Sequence, residues 1–85
     1  MHKIIAHFVR QDKRRRITIY RRDDGFFTYT IDAYFIEDIP EYQHYTEYWH
    51  SNGLDFGIYD SDSTAIREAS VTNPWILTVT PDQPT

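Results

Sequence analysis

The chain has 85 residues, of which 40% are hydrophobic and 26% are charged, and it carries a net charge of −4. This length allows one domain with one modest core, and the composition is too apolar for a disordered chain. Without cysteine there are no disulfides, zinc–cysteine sites or thiol catalysis, and no apolar stretch is long enough to cross a membrane. We expect a soluble, cytoplasmic protein with a single domain formed by residues 1–80 and a frayed tail at 81–85.

Charge is divided unevenly along the sequence. Residues 1–22 hold eight of the nine Lys and Arg residues and one acid, which gives this segment a net charge of +7. Residues 23–85 hold Arg67 and twelve acids, a net charge of −11. This separation of positive and negative charge along the chain affects which partners it could bind.

The first 36 residues predict three antiparallel strands. The third is the clearest, because apolar side chains occupy its odd positions from 27 to 35. A three-residue turn at 23–25, with Gly25 in the left-handed region, pairs Ile17 with Ile31 and Arg16 with Asp32. A second turn near residues 11–14 adds the first strand. The side chains predicted to face the core are Ile4, Ala6, Phe8, Ile17, Ile19, Phe27, Tyr29, Ile31, Ala33 and Phe35.

The C-terminal part predicts a helix followed by a strand. Ser61 is a good N-cap and Asn73-Pro74 ends the helix, while residues 75–80 alternate as a strand does. The stretch 57–69, followed by Pro74-Trp75, resembles the ends of small bacterial proteins, and this resemblance implies no activity.

The middle segment, residues 39–51, is compatible with two structures. Its Tyr and Thr content and its alternation favour a strand, whereas Asp38 and Glu41 at capping-box spacing would suit a helix. We favour the strand. The predicted fold class is α+β: a small antiparallel sheet, formed by the three-stranded meander and one or two further strands, with a single helix near 61–72 packed on one face.

Aromatic residues make up 16% of the chain, and several of them lie among acids in the middle segment. Aromatic rings rimmed by carboxylates are suited to anchoring a protein with a basic surface. We therefore expect a small non-catalytic binding or regulatory protein, such as an inhibitor, an immunity or antitoxin-like protein, or a subunit of a complex. The predicted protein-binding residues are Glu41, Tyr42, Tyr45, Glu47, Tyr48, Trp49 and Asp55.

The alternative is a module that binds single-stranded nucleic acid on the outer face of the N-terminal sheet. Cations for phosphates and rings for bases would alternate there. The negative net charge places this interpretation second. Its residues are Lys3, Arg16, Tyr20, Arg22, Phe26 and Tyr34.

Other polar clusters favour ordinary structural roles. The basic run at residues 13–16 is typical of a solvated turn, and the Glu41, His44, Glu47, His50 spacing is better explained as polar surface than as a metal site. We find no nucleophile motif and expect neither enzymatic activity nor a cofactor. The oligomeric state stays open: an exposed edge strand would allow two copies to pair, but no residue in the sequence favours it.

Overall fold

The computed structural model describes residues 3–51 and 55–82. Five strands form one antiparallel sheet: β1 (Lys3–Val9), β2 (Arg15–Arg21), β3 (Phe27–Ile39), β4 (His44–Ser51) and β5 (Phe56–Tyr59). Strands β1 to β4 follow chain order, and β5 pairs with the first part of β3. The helix α1 (Asp62–Thr72) packs on one face of the sheet. The predicted α+β class is therefore confirmed, and so is a strand in the middle segment.

The predicted register of the meander is also confirmed. The Arg22 amide donates to the Phe26 carbonyl at 2.7 Å and closes a three-residue turn in which Gly25 has a φ of +86°. Ile17 consequently lies opposite Ile31. One hydrogen bond and one left-handed glycine thus decide which side chains of β2 and β3 face the helix.

The core lies between the sheet and α1. Ala65 and Ala69 of α1 have no exposed surface, and their small side chains allow the helix to approach the strands closely. Ile17 and Ile19 are also fully buried, and each such side chain stabilises the fold by about 1.5 to 3 kcal/mol. The buried apolar set is Ala6, Phe8, Ile17, Ile19, Tyr29, Ala65, Ala69 and Ile76.

The helix begins and ends where the sequence predicts. The Thr64 amide donates to the Ser61 hydroxyl at 3.1 Å, and the Asn73 amide donates to the Ala69 carbonyl at 3.0 Å. These bonds satisfy backbone groups that the helix termini would otherwise leave unpaired. None of the helices in the described part of the chain combines the length and the apolar character that crossing a membrane requires.

The strand predicted at residues 75–80 is wrong. Pro74–Thr78 forms a 3-10 turn in which Ile76 is buried and Leu77 is 69% exposed. Pro74 favours this turn because its fixed φ suits a first helical position and its missing N–H needs no partner there. Further along, Asp82 exchanges two backbone hydrogen bonds with His7, at 2.8 and 2.9 Å. Residues 83–85 of the predicted tail lie outside the described residues.

The first strand contains a bulge that the sequence analysis missed. Ile4 lies opposite Tyr20, but Ala6 lies opposite Ile19, so Ile5 is an extra residue. Ile5 packs against the core, and the register places Ile4 on the face that carries Tyr20. The prediction that Ile4 faces the core is therefore wrong, because the alternation of the strand changes at the bulge.

Strands β3 and β4 continue beyond the other strands. The β2–β3 ladder ends with Arg15 opposite Ala33, while β3 pairs with β4 as far as Ile39. Residues 35–48, here called the arm, form a two-stranded ribbon closed by a 3-10 turn, Pro40–Tyr42. The protein is accordingly elongated, at 49 × 29 × 24 Å. Phe35, predicted to be in the core, is 45% exposed because it lies beyond the strands that α1 covers.

Candidate protein interaction site

Large hydrophobic side chains are concentrated on the surface of the arm. The described residues include nine exposed large hydrophobic side chains, and five of them belong to the 14 residues of the arm. Single exposed apolar residues are ordinary, but their concentration on one short segment makes that segment a candidate interaction site. The five are Phe35, Ile36, Tyr42, Tyr45 and Tyr48.

The predicted protein-binding residues do not form one patch. Pairing of Ile36 with Glu47 places Tyr45, Glu47 and Trp49 together on the face opposite the helix, here called the outer face. Tyr48 points to the other face, which continues the helix-covered side of the sheet. The remaining three are divided: Glu41 and Tyr42 lie at the tip of the arm, and Asp55 precedes β5.

On the outer face, an acidic group is held by two tyrosines. The Tyr45 hydroxyl donates to Glu47 Oε1 at 2.7 Å. Hydrogen bonds from Tyr45 and then from Tyr34 lower the pKa of Glu47, and the same contact with Glu47 raises the pKa of Tyr45. Glu47 is thus kept ionised at neutral pH, beside two rings that could contact a partner.

The other face of the arm carries a small aromatic cluster. Phe35 stacks on Tyr48 with ring centroids 5.8 Å apart and meets His50 edge to face at 5.9 Å. A groove of about 310 Å³ continues from Phe35 and His50 toward the core. Its other lining residues are Arg15, Ile31, Ala33 and Phe56. The arm therefore offers rings on both faces.

Trp49 connects the arm to the sheet. Its ring meets Tyr34 edge to face at 5.1 Å, and the guanidinium carbon of Arg16 lies 4.8 Å from the ring centroid. Trp49 is half-buried by these contacts. It combines a structural role with its predicted binding role, so its substitution would change both.

The sequence analysis missed a buried polar network on the outer face. The Asp32 carboxylate, only 1% exposed, accepts hydrogen bonds from Thr18 at 2.7 Å, Thr30 at 3.0 Å and Arg16 at 2.7 Å. His7 Nδ1 lies 3.0 Å from the Thr18 hydroxyl. The register predicted the pairing of Arg16 with Asp32, but the two threonines gave no signal beyond their positions on the same face.

The predicted nucleic-acid residues are partly engaged within the protein. Arg16 is paired with Asp32, and Arg22 Nη2 lies 3.2 Å from Asp24 Oδ2. Phe26 and Lys3 are exposed. The prediction that Lys3 lies on the outer face is wrong, because the bulge sets it opposite Arg21, on the face that α1 covers. The other two members are half-buried: Tyr20, and Tyr34 in its contact with Trp49. Two of the three cations in this set are therefore partly neutralised.

Comparisons with protein families, curated proteins and solved structures find no match to this chain.

Proposed function

We propose that this is a small non-catalytic binding protein that recognises another protein through its arm. The observation that carries the proposal is the exposure of Phe35, Ile36 and three tyrosines on a ribbon that extends past the core. Tyr42, at the tip, is 81% exposed. Folding the chain does not bury these side chains, whereas a partner would remove their apolar surface from water.

The charge of the arm favours a basic partner. Residues 35–51 contain four acids and neither Lys nor Arg. Tyrosines that bring large contact area at low entropic cost, surrounded by carboxylates, are suited to a surface rich in Lys and Arg. A nuclease or another nucleic-acid enzyme has such a surface, so an inhibitory, immunity or antitoxin-like role fits the arm, as does a role as subunit of a complex.

Capture with matched variants tests the proposal. The wild-type chain, immobilised and exposed to an extract of its own cells, is expected to retain a partner, whose affinity is then measured with purified proteins. Tyr42→Ala combined with Tyr45→Ala is expected to weaken binding at least tenfold, because exposed tyrosines are frequent hot spots. Higher salt is expected to weaken binding as well.

The control for the arm variant is Val71→Ala combined with Leu77→Ala. These side chains are 72% and 69% exposed but lie on α1 and the following 3-10 turn. The control is expected to bind the partner like wild type. Equal affinity of the arm variant and wild type, or loss of the partner only in the control, would count against recognition through the arm.

Binding of single-stranded nucleic acid is the alternative. Its support is the exposure of Phe26 together with the half-buried Tyr34 on the outer face. It has less support than protein binding, because Arg16 and Arg22 already pair with carboxylates. Salt-sensitive retention of single-stranded RNA or DNA that is lost in Tyr20→Ala combined with Arg22→Ala would favour it over the arm.

A further inference from the structure

Strand β3 has a free hydrogen-bonding edge along the arm. Its last bond toward β2 is from the Tyr34 amide to the Arg14 carbonyl, at 3.2 Å. Because alternate residues of a strand direct their N–H and C=O groups to opposite edges, Ile36 and Asp38 present theirs on the same side as Tyr34. No strand in the described part of the chain pairs with that edge beyond Tyr34.

The beginning of this edge is basic. Lys13, Arg14 and Arg15 belong to the β1–β2 turn and the start of β2, and within residues 3–51 and 55–82 they form no ion pair. Arg10 differs, since Asp12 binds it at 2.9 and 2.7 Å. A cleft of about 450 Å³ lies at the start of the edge. It is lined by Arg10, Arg14, Arg15, Tyr34 and Ile36.

The far end of the same edge is acidic. Glu37 and Asp38 lie on the edge itself, and Glu41 lies in the turn at the tip. All three are exposed. The edge thus runs from unpaired cations to carboxylates, and an antiparallel copy of it presents the reverse order. Each charged end then meets its opposite.

We propose that two copies of this chain associate through this edge as an antiparallel, two-fold symmetric dimer. Ile36 of one copy lies opposite Asp38 of the second copy, and each such pair exchanges two backbone hydrogen bonds. Phe35 lies beside Ile39 of the second copy. Glu41 at the tip of one arm comes to the level of Arg14 and Arg15 of the other copy.

A shift of this pairing in either direction would lose backbone hydrogen bonds. In this register β3 of the second copy ends at Ile39, opposite Phe35, just before the position that Arg14 occupies beside Tyr34. A shift that sets Ile36 opposite itself would place Asp38, which is still part of β3 of the second copy, opposite Tyr34. A shift in the other direction would set Ile36 opposite Pro40, which has no N–H to donate. Pairing Ile36 with Asp38 is the register that keeps both hydrogen-bonded pairs.

The contact between the two Glu37 side chains opposes association and weakens the dimer. Glu37 lies on the two-fold axis, opposite Glu37 of the second copy, and like charges directly across a strand pair are destabilising. The shared edge is also short. A weak dimer that forms as concentration rises is therefore expected.

The β4 edge is the competing site and is a poorer one for self-association. It is longer, but its eight residues contain no Lys or Arg to meet Glu47 of a second copy. The β3-edge dimer places Phe35 and Ile36 at the dimer interface but leaves Tyr45 and Tyr48 of β4 available. Self-association and recognition of another protein can therefore occur in the same molecule, and failure of either leaves the other standing.

Sedimentation equilibrium of the purified full chain tests the dimer without any partner. The average mass is expected to rise from 10.2 kDa toward twice that value between micromolar and millimolar concentration, and less so at high salt. A mass that stays at that of one copy throughout would overturn the proposal.

A charge exchange tests the arrangement. Arg14→Glu with Arg15→Glu makes both ends of the edge acidic, and Asp38→Lys with Glu41→Lys makes both ends basic. Each double variant alone is expected to dimerise at least tenfold more weakly than wild type, whereas an equimolar mixture is expected to form the heterodimer. No recovery on mixing would contradict pairing of the basic turn with the acidic tip.

Two variants of Ile36 test the backbone pairing, and one of Glu37 tests the contact on the two-fold axis. Ile36→Pro removes an N–H that points to the free edge and is expected to abolish dimerisation, whereas Ile36→Ser keeps this N–H and serves as the control. Glu37→Gln is expected to strengthen the dimer severalfold, because it removes the repulsion on the axis. Circular dichroism and thermal melting confirm the fold of each variant. Dimerisation unaffected by Ile36→Pro, or weakened by Glu37→Gln, would overturn the proposed edge.

Discussion

Arg16 and Asp32 lie opposite each other on β2 and β3, with Arg16 Nε 2.7 Å from Asp32 Oδ2. Thr18 and Thr30 donate the remaining hydrogen bonds to this carboxylate. Within the described residues, no buried side-chain nitrogen or oxygen lacks a partner. Because a buried charge is stable only when it is paired and hydrogen-bonded, the outer face of the sheet depends on this group of donors.

Asp32→Ala is therefore expected to be strongly destabilising. It leaves Arg16 and two threonine hydroxyls without their acceptor, and the free energy of unfolding is expected to fall by about 3 kcal/mol. Urea denaturation measures this change. Asp38→Ala is the control, since Asp38 is exposed on the same strand, and its effect is expected to stay within about 0.5 kcal/mol. Similar losses in both variants would contradict the role assigned to Asp32.

Comparison of Trp49→Ala with Tyr42→Ala is expected to separate structure from recognition. Loss of the contacts with Tyr34 and Arg16 is expected to lower the free energy of unfolding by about 1 to 2 kcal/mol. Tyr42→Ala, at the exposed tip, is expected to leave stability within about 0.5 kcal/mol of wild type while weakening partner binding. The measurement is thermal melting of both variants, and a stability loss in Tyr42→Ala equal to that in Trp49→Ala would contradict this division.

The sequence was sufficient to predict the sheet register and the helix, for identifiable reasons. Gly25 and the odd-numbered apolar residues of β2 and β3 agree on one register, so the loop length and the hydrophobic pattern support each other. For the helix, Ser61 and the Asn73-Pro74 stop mark the two ends independently. Two separate local signals constrained each of these elements.

The errors arose where one pattern fitted two structures. Ile4 and Ile5 are both apolar, so composition could not show which of them the bulge would turn toward the core. Residues 75–79 alternate in the sequence, yet Pro74 starts a 3-10 turn there. Apolar and polar residues alternate in β3 as far as Phe35, but this pattern does not show that β2 ends opposite Ala33. The arm is exposed because β2 ends there. For the candidate site, the sequence predicted which tyrosines are exposed on the arm, but it did not predict that they are divided between its two faces.

Two glycines with positive φ are expected to respond differently to alanine. Gly25, at +86°, has nothing within 4 Å of the position that an alanine Cβ would take, so Gly25→Ala costs only backbone strain, roughly 1 to 2 kcal/mol. Gly57, at +69°, would place a Cβ 2.6 Å from Cζ of Tyr59, whose ring stacks on Tyr29 of the core. Gly57→Ala is expected to cost roughly 1 kcal/mol more than Gly25→Ala in urea denaturation. A larger loss in Gly25→Ala would show that the ring of Tyr59 moves aside freely.

His7 is expected to make stability depend on pH. Thr18 gives its one hydroxyl proton to Asp32, so it accepts a hydrogen bond from the Nδ1–H of His7. Burial and then the charge of Arg16 lower the pKa of His7, against the opposing influence of Asp32 and Asp82. As pH falls, the unfolded chain therefore binds a proton at His7 before the folded chain does.

The stability that neutral His7 contributes is fully present above its unfolded pKa of 6.5 and is lost as pH falls from there through the lower folded value. Melting temperatures of wild type and His7→Asn between about pH 8 and pH 5 measure this loss. Asn retains a side-chain N–H donor but does not titrate, so its melting temperature is expected to fall less on acidification. A wild-type curve that parallels His7→Asn, or one that rises as pH falls, would show that His7 is protonated at least as easily in the folded chain as in the unfolded one.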